Sequence, residues 1–354
     1  MRSVPMAQRG RGAAVRSAFG DRMRAAGLRP PPGPVRVAAL SDGELPDVAD
    51  DQPLWPLRRM TIDGAKVGCR VTPGPAGADP AVYVPGLGGT SSNWTDVAAL
   101  LQREVAGVSV DPAGFGESDP PLDGNYAPPA HAHRLARFIE QQFGGRPVHL
   151  FGNSLGGVVT LLAAVRRPDL VRSLTLVSPA MPDLRPHGRE RMMLVATVVP
   201  GVLTVAERRG GLSAEQHVRM VVDTVFGDAS VVNPDRFAAA VAEAERHAGQ
   251  PWASAALRLS LRGLIASYVG TGRRSLWNLA RQVRVPSLVV WGDRDRLVDV
   301  TLAHRTARAL PDSRLLVLPG VGHVAHMETP RLVARAFCGL LEETHRRDLA
   351  IGLR

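Results

Sequence analysis

Lysine is almost missing from this chain. Lys66 is the only one among 354 residues, yet the formal net charge is +10. Arginine carries nearly all of it. A base composition that favours arginine codons accounts for this, together with the many Ala, Gly, Pro and Val residues. Aromatic residues make up only 5%, and no basic-aromatic motif appears. The charge is therefore not read as a nucleic-acid footprint, and no nucleic-acid partner is expected. Cysteine is scarce too. Cys69 and Cys338 form no C-x-x-C pair, which points to two reduced core thiols in a cytoplasmic protein rather than a disulfide. No apolar stretch follows the basic N-terminus as a secretory signal would require. No window reaches the roughly 18 consecutive apolar residues of a membrane-spanning helix. Neither G-x-G-x-x-G nor a Gly-Lys-Ser/Thr ending is present, so no nucleotide or flavin cofactor is expected.

What is present is organised around Val148–Gly157. A short apolar run, Val148–Phe151, reads as a buried strand and stops at Gly152. From Leu155 the apolar residues Leu155, Val158, Val159, Leu161, Leu162 and Val165 follow helical spacing. Between them stands Gly152-Asn153-Ser154-Leu155-Gly156, a match to G-x-S-x-G. A serine on so tight a turn projects its hydroxyl from the sheet. Gly152 and Gly156 keep that turn free of side-chain collisions. The N–H of Leu155, at the start of the helix, has no intrahelical acceptor and can receive an oxyanion.

The rest of the chain supplies context in order. Residues 1–55 read as a flexible basic and Pro-rich extension, with Arg2, Arg9, Arg11, Arg16, Arg22, Arg24 and Arg29 ahead of Pro30–Pro32. A basic amphipathic segment there could make weak contact with an anionic membrane surface; a mobile tail is the plainer expectation. Asp63-Gly64 sits between two alternating runs and marks a hairpin. Strands are expected at 81–84, 105–110, 148–151, 173–177, 287–291 and 314–318, with helices between most of them. That alternation predicts an α/β fold with a mostly parallel sheet covered on both faces. It spans 56–179 and 283–345. It breaks at Pro179, and 180–282 read as helices only: 189–199, 214–226, 236–247, 254–269 and 275–283. This is expected to be an inserted helical cap, with Met192–Ala206 its most apolar part. Residues 346–354 are expected to form a C-terminal tail.

Three reactive residue types fall just after strands: Ser154, Asp293 or Asp295, and His323. In an open parallel sheet the carboxyl ends of the strands share one edge, so these groups can converge. Gly86 and Gly88, after the strand ending at Val84, let backbone approach a ligand there. His323 and His326 form H-x-x-H, but two ligands do not make a metal site, and no metal is expected.

Taken together, Pro85–Gly89, Asp111–Ser118, Gly152–Gly157, Trp291–Asp295 and Gly320–His323 resemble the α/β-hydrolase superfamily over roughly 57–345. The order Ser, Asp, His is the order of that family. The resemblance implies Asp295 as the acid, with Asp293 a loop-capping residue, and Leu87 N–H as a second oxyanion donor. Where many relatives carry His-Gly, this chain has Pro85-Gly86. The implied activity is hydrolysis of a small apolar ester, thioester or lipid-like acyl substrate through an acyl-enzyme on Ser154. Gly152–Gly157 is similar also to carbon–carbon bond hydrolases and cofactor-free haloperoxidases. A non-catalytic small-molecule receptor on the same fold is the alternative of another class. The sequence does not fix the oligomeric state.

Overall fold

The computed structural model describes residues 35–48, 52–183, 211 and 213–350. Eight strands build one sheet: β1 (Leu57–Ile62), β2 (Ala65–Thr72), β3 (Asp79–Val84), β4 (Val105–Val110), β5 (Val148–Asn153), β6 (Val171–Val177), β7 (Ser287–Gly292) and β8 (Ser313–Leu318). Their spatial order is β1-β2-β4-β3-β5-β6-β7-β8. Strands β3 to β8 are parallel; β2 pairs antiparallel with both β1 and β4. The β1–β2 hairpin turns at Asp63 and Gly64, both at positive φ (48° and 84°), as the two-residue hairpin turn demands. The centre of the sheet is dry: every residue of β5 and β7 is buried.

The helices among the described residues are α1 (Thr95–Leu100), α2 (Pro128–Phe143), α3 (Leu155–Arg166), α4 (Ala214–Val225), α5 (Pro234–Ala248), α6 (Ala253–Tyr268), α7 (Leu276–Ala280), α8 (Thr301–Ala309), α9 (Ala325–Glu328) and α10 (Pro330–Ala350). Helix α3 has little polar face, since Leu155 through Ala164 are all buried. Each fully buried Val or Leu there stabilises by about 1.5–3 kcal/mol relative to exposure. The strength of this packing matters, because Ser154 is the N-cap residue of α3 and the helix holds the turn in place. Between β6 and β7 the described residues contain helices and no strand. The expected helix 189–199 and the apolar run Met192–Ala206 lie outside the described residues.

Two expected boundaries move. Residues 35–48 fall inside the predicted flexible extension, yet they lie against the body. Val37 bridges Leu315 of β8, Ala38 N–H donates to Leu315 O at 3.0 Å, and Ser41 N–H donates to Arg335 O at 3.0 Å. Arg314, buried on β8, pairs with Asp312 at 2.7 Å and with Glu343 of α10 at 2.8 Å, and Arg36 joins the same carboxylates. The sequence gives no signal here, because a single bridge has no periodicity. At the other end α10 runs to Ala350, past the predicted boundary at 345. Nothing in Arg346–Ala350 breaks a helix, so residues 346–350 belong to it rather than to a tail.

Candidate active site

The site begins with a strained residue. Ser154 has φ 53° and ψ −117°, a backbone region costing on the order of 1–3 kcal/mol for a residue with a side chain. Surrounding bonds hold it there. Its N–H donates to Val177 O at 3.1 Å, and its carbonyl accepts from Val158 N at 3.2 Å and Ala180 N at 3.0 Å. The glycines on either side are required. A Cβ on Gly156 would lie 2.4 Å from the carbonyl oxygens of Val84 and Pro85, and one on Gly152 would lie 2.5 Å from Gly156 O.

Three strand-end loops meet at this turn. Strand β3 leads into Pro85–Gly89, where Gly89 N–H donates to Gly86 O at 3.1 Å and Gly88 takes φ 77°. A Cβ on Gly86 would stand 3.2 Å from Ser154 Cβ. The Leu87 backbone, next in sequence, is thereby carried beside the serine, and Leu155 is the first residue of α3. After β7, Asp295 turns both carboxylate oxygens to use. Oδ1 accepts from Leu297 N and Val298 N, each at 2.9 Å, and Oδ2 lies 2.8 Å from His323 Nδ1. The Asp295 side chain is sealed from solvent and that of His323 nearly so, at 0% and 4% exposure. Asp293 has another role: its Oδ1 accepts from Gly320 N at 2.7 Å, bracing the loop after β8. His326 stacks on Trp94 with centroids 4.1 Å apart, and burial pushes its imidazole down to about 3. Among the described residues no group of three His, Cys, Asp or Glu is arranged to hold a metal.

Several residues that motif reading passes over tie the loops together. Asn153, just before the serine, donates from Nδ2 to Val177 O at 3.0 Å and to His323 O at 3.1 Å. It therefore links the serine turn to the histidine loop. Asp111 is buried, and its carboxylate accepts from Ser91 N at 2.6 Å and Glu117 N at 2.9 Å. Burial pushes its carboxyl above the ordinary range, opposed by those hydrogen bonds. From α5, Glu243 accepts from Thr90 Oγ1 at 2.7 Å and Ser92 Oγ at 2.9 Å, with Arg70 at 3.4 Å. These bonds pin the segment that follows Gly89. A neighbouring ion pair, Arg236 to Asp96 at 2.6 Å, fixes the same helix.

The inserted helices also reach the Leu87 loop. Leu257 of α6 approaches Gly88, and Ala256 packs with Phe115 and Tyr126 against Leu87, Trp252 and Leu259. Trp277 is buried in the main core beneath Arg305, whose guanidinium stands 3.9 Å from the ring centroid. A cavity of about 290 Å³ lies between the β1–β2 hairpin and α2. Pro85, Leu155 and Gly156 are among its lining residues, and Ser154 and His323 are not.

Comparison with known proteins agrees with this architecture. A family model described as the alpha/beta hydrolase fold matches residues 79–330. Lipase 1 of Psychrobacter immobilis is 24% identical over 279 residues, covering 76% of this chain and 80% of that protein. A putative 2-succinyl-6-hydroxy-2,4-cyclohexadiene-1-carboxylate synthase of Bacillus subtilis is 26% identical, covering 74% and 90%. Among solved structures, a bacterial membrane phospholipase A superposes with a TM-score of 0.69 at 24% identity, over 82% of this chain and 87% of that one. The chain belongs to the α/β-hydrolase fold family. Within it, the protein is an enzyme of the serine hydrolase kind.

Proposed function

We propose that the protein cleaves a carboxylic ester, thioester or lipid-like acyl substrate through an acyl-enzyme on Ser154. The observation that carries this reading is the 2.8 Å bond between His323 Nδ1 and Asp295 Oδ2, on the loop that Asn153 ties to the serine turn. A buried carboxylate facing Nδ1 keeps the proton on that nitrogen. The Nε2 lone pair is then free to accept the serine proton. Ser154 Oγ attacks the acyl carbonyl, and the proton passes to His323, whose charged form Asp295 stabilises. The N–H groups of Leu87 and Leu155 receive the oxyanion. The tetrahedral adduct collapses as His323 returns its proton to the leaving oxygen or sulfur. Water, deprotonated by His323, attacks the acyl-serine, and a second collapse frees the acid and the hydroxyl.

The helices of 213–280 would act as the cap that selects the substrate. Leu257, exposed beside Gly88 of the Leu87 loop, presents an apolar side chain, which suits an aliphatic acyl chain. Lipase relatives at modest identity support ester hydrolysis as the reaction class. Stopped-flow hydrolysis of p-nitrophenyl esters of rising chain length tests the reading. An acyl-enzyme that forms faster than it hydrolyses releases a nitrophenolate burst proportional to enzyme, followed by a slower steady rate. Absence of turnover across the whole series, in folded protein, would oppose an ester substrate.

A further inference from the structure

Both backbone polar groups of His323 are bonded, and to different parts of the molecule. Its carbonyl accepts from Asn153 Nδ2 at 3.1 Å, on the serine side. Its N–H donates to Val225 O at 2.7 Å, at the end of α4 among the inserted helices. A second tie lies beside the first. One oxygen of Glu328, Oε2, accepts from Gly322 N at 3.0 Å and from Gly227 N at 2.9 Å. Gly322 directly precedes His323, and Gly227 lies two residues past Val225. The carboxylate thus gathers the histidine loop and the inserted segment onto one atom.

The contact is backbone against backbone, with no space for even a methyl group. A Cβ on Gly322 would lie 2.3 Å from Gly227 N and 2.4 Å from Val225 O, and one on Gly227 would lie 2.3 Å from Gly320 O. Glycine at these positions is what permits the approach. Hydrogen bonds to a charged acceptor are about twice as strong as neutral ones. Together they make residues 225–227 a wall behind the histidine loop.

We infer that Glu328 is a positioning residue for His323, and that it acts by clamping the inserted segment 225–227 onto the histidine loop. The inference rests on reading His323 as the catalytic base. Asp295 orients the imidazole from the ring side, and Glu328 sets the backbone from which the ring projects. Proton transfer needs the imidazole within about 2.6–3.2 Å of the serine oxygen. A shift near 1 Å can cost about 10²-fold in rate. The inserted helices accordingly do more than cover the site, since displacement of α4 moves the base.

The test compares Glu328→Gln, which keeps an acceptor oxygen for both N–H groups, with Glu328→Ala, which removes it. The measurements are kcat and KM on a p-nitrophenyl ester, the melting temperature, and the downfield proton resonance of His323 Nδ1–H. In the alanine variant kcat falls by about 10- to 100-fold with KM little changed, and the resonance shifts or broadens. Glutamine restores both towards wild type. A folded alanine variant with wild-type kcat and an unmoved resonance would overturn the inference. So would a loss of rate that follows melting temperature alone. If the alanine variant does not fold, Glu328→Asp, one methylene too short to bridge both donors, takes its place under the same criteria. The resonance needs no turnover, so it decides the positioning role even if Ser154→Ala shows that the serine is not the nucleophile.

Discussion

His323 and Asp295 meet through a single hydrogen bond of 2.8 Å, while the other oxygen of Asp295 is taken by two backbone N–H groups. This division of labour makes Asp295→Asn informative. The asparagine oxygen would stay with Leu297 N and Val298 N, which can only donate. Its amide NH₂ would then face His323 Nδ1 and force the proton onto Nε2, the nitrogen that accepts from serine in the proposed mechanism. We expect kcat to fall by about 10³–10⁴ with the fold intact. Asp293→Asn, whose oxygen braces Gly320, should retain most of the activity. Steady-state kinetics on the two variants checks this, and the reverse order would reassign the acid.

Substitution of the turn glycines should act on folding before it acts on chemistry. In Gly156→Ala the added methyl would stand 2.4 Å from two carbonyl oxygens of β3 and its loop. Backbone atoms there cannot move without unpacking α3 from the sheet. The expected outcome is a destabilisation in the exceptional range, above about 4 kcal/mol. It would be seen as lost soluble yield or a sharply lower midpoint in urea. A wild-type midpoint would mean that the turn is looser than described.

Glu243 offers a separate handle on the Leu87 loop. Removing its carboxylate leaves Thr90 and Ser92 hydroxyls and Arg70 without their common acceptor. Glu243→Ala should cost about 1–3 kcal/mol of stability. With Leu87 N–H as the oxyanion donor we propose, slackening its loop should also lower kcat by up to about 10²-fold. Denaturant titration and kinetics on the same preparation separate the two effects.

Stability should fall in acid for a reason outside the active site. His149 lies buried on β5, with Nδ1 2.7 Å from Ser173 Oγ, and burial pushes its pKa from 6.5 down to about 4. The unfolded chain therefore binds a proton in a range where the native state does not. The stabilisation is complete above pH 6.5 and is lost as pH falls towards 4, at about 1.4 kcal/mol per unit. His131 and His326, also buried and lowered, add in the same direction. Unfolding measured between pH 4 and 7 should steepen accordingly, and His149→Gln should remove one proton's share of the slope. An unchanged slope would mean that His149 takes up its proton as readily in the folded chain as in the unfolded one.

The sequence was legible where chemistry forces a local pattern. Gly152-Asn153-Ser154-Leu155-Gly156 can be recognised because a strained serine needs glycines at fixed offsets. The hairpin shows in Asp63-Gly64 for a similar reason. The parallel strands show as apolar runs because both faces of the sheet are covered. What stayed hidden are the ties between segments far apart in the chain. Glu243 is one of many helical glutamates, and nothing near it marks Thr90 and Ser92 as partners. Glu328 and Gly227 are separated by helices α5, α6 and α7 and then a whole strand-helix-strand unit. Asn153 is the exception that could have been noticed: it lies inside the motif, and a buried amide at a strand end needs partners on both sides. Residues 35–48 docked unannounced, because one bridge and one arginine cluster leave no periodic trace.

The most direct measurement is labelling with a serine-directed fluorophosphonate, followed by intact-mass analysis of wild type beside Ser154→Ala. An activated serine should give one adduct per chain, located on the peptide carrying Ser154 and absent from the variant. Labelling that persists in Ser154→Ala, or a folded wild type that never labels, would contradict the assignment of Ser154 as the nucleophile.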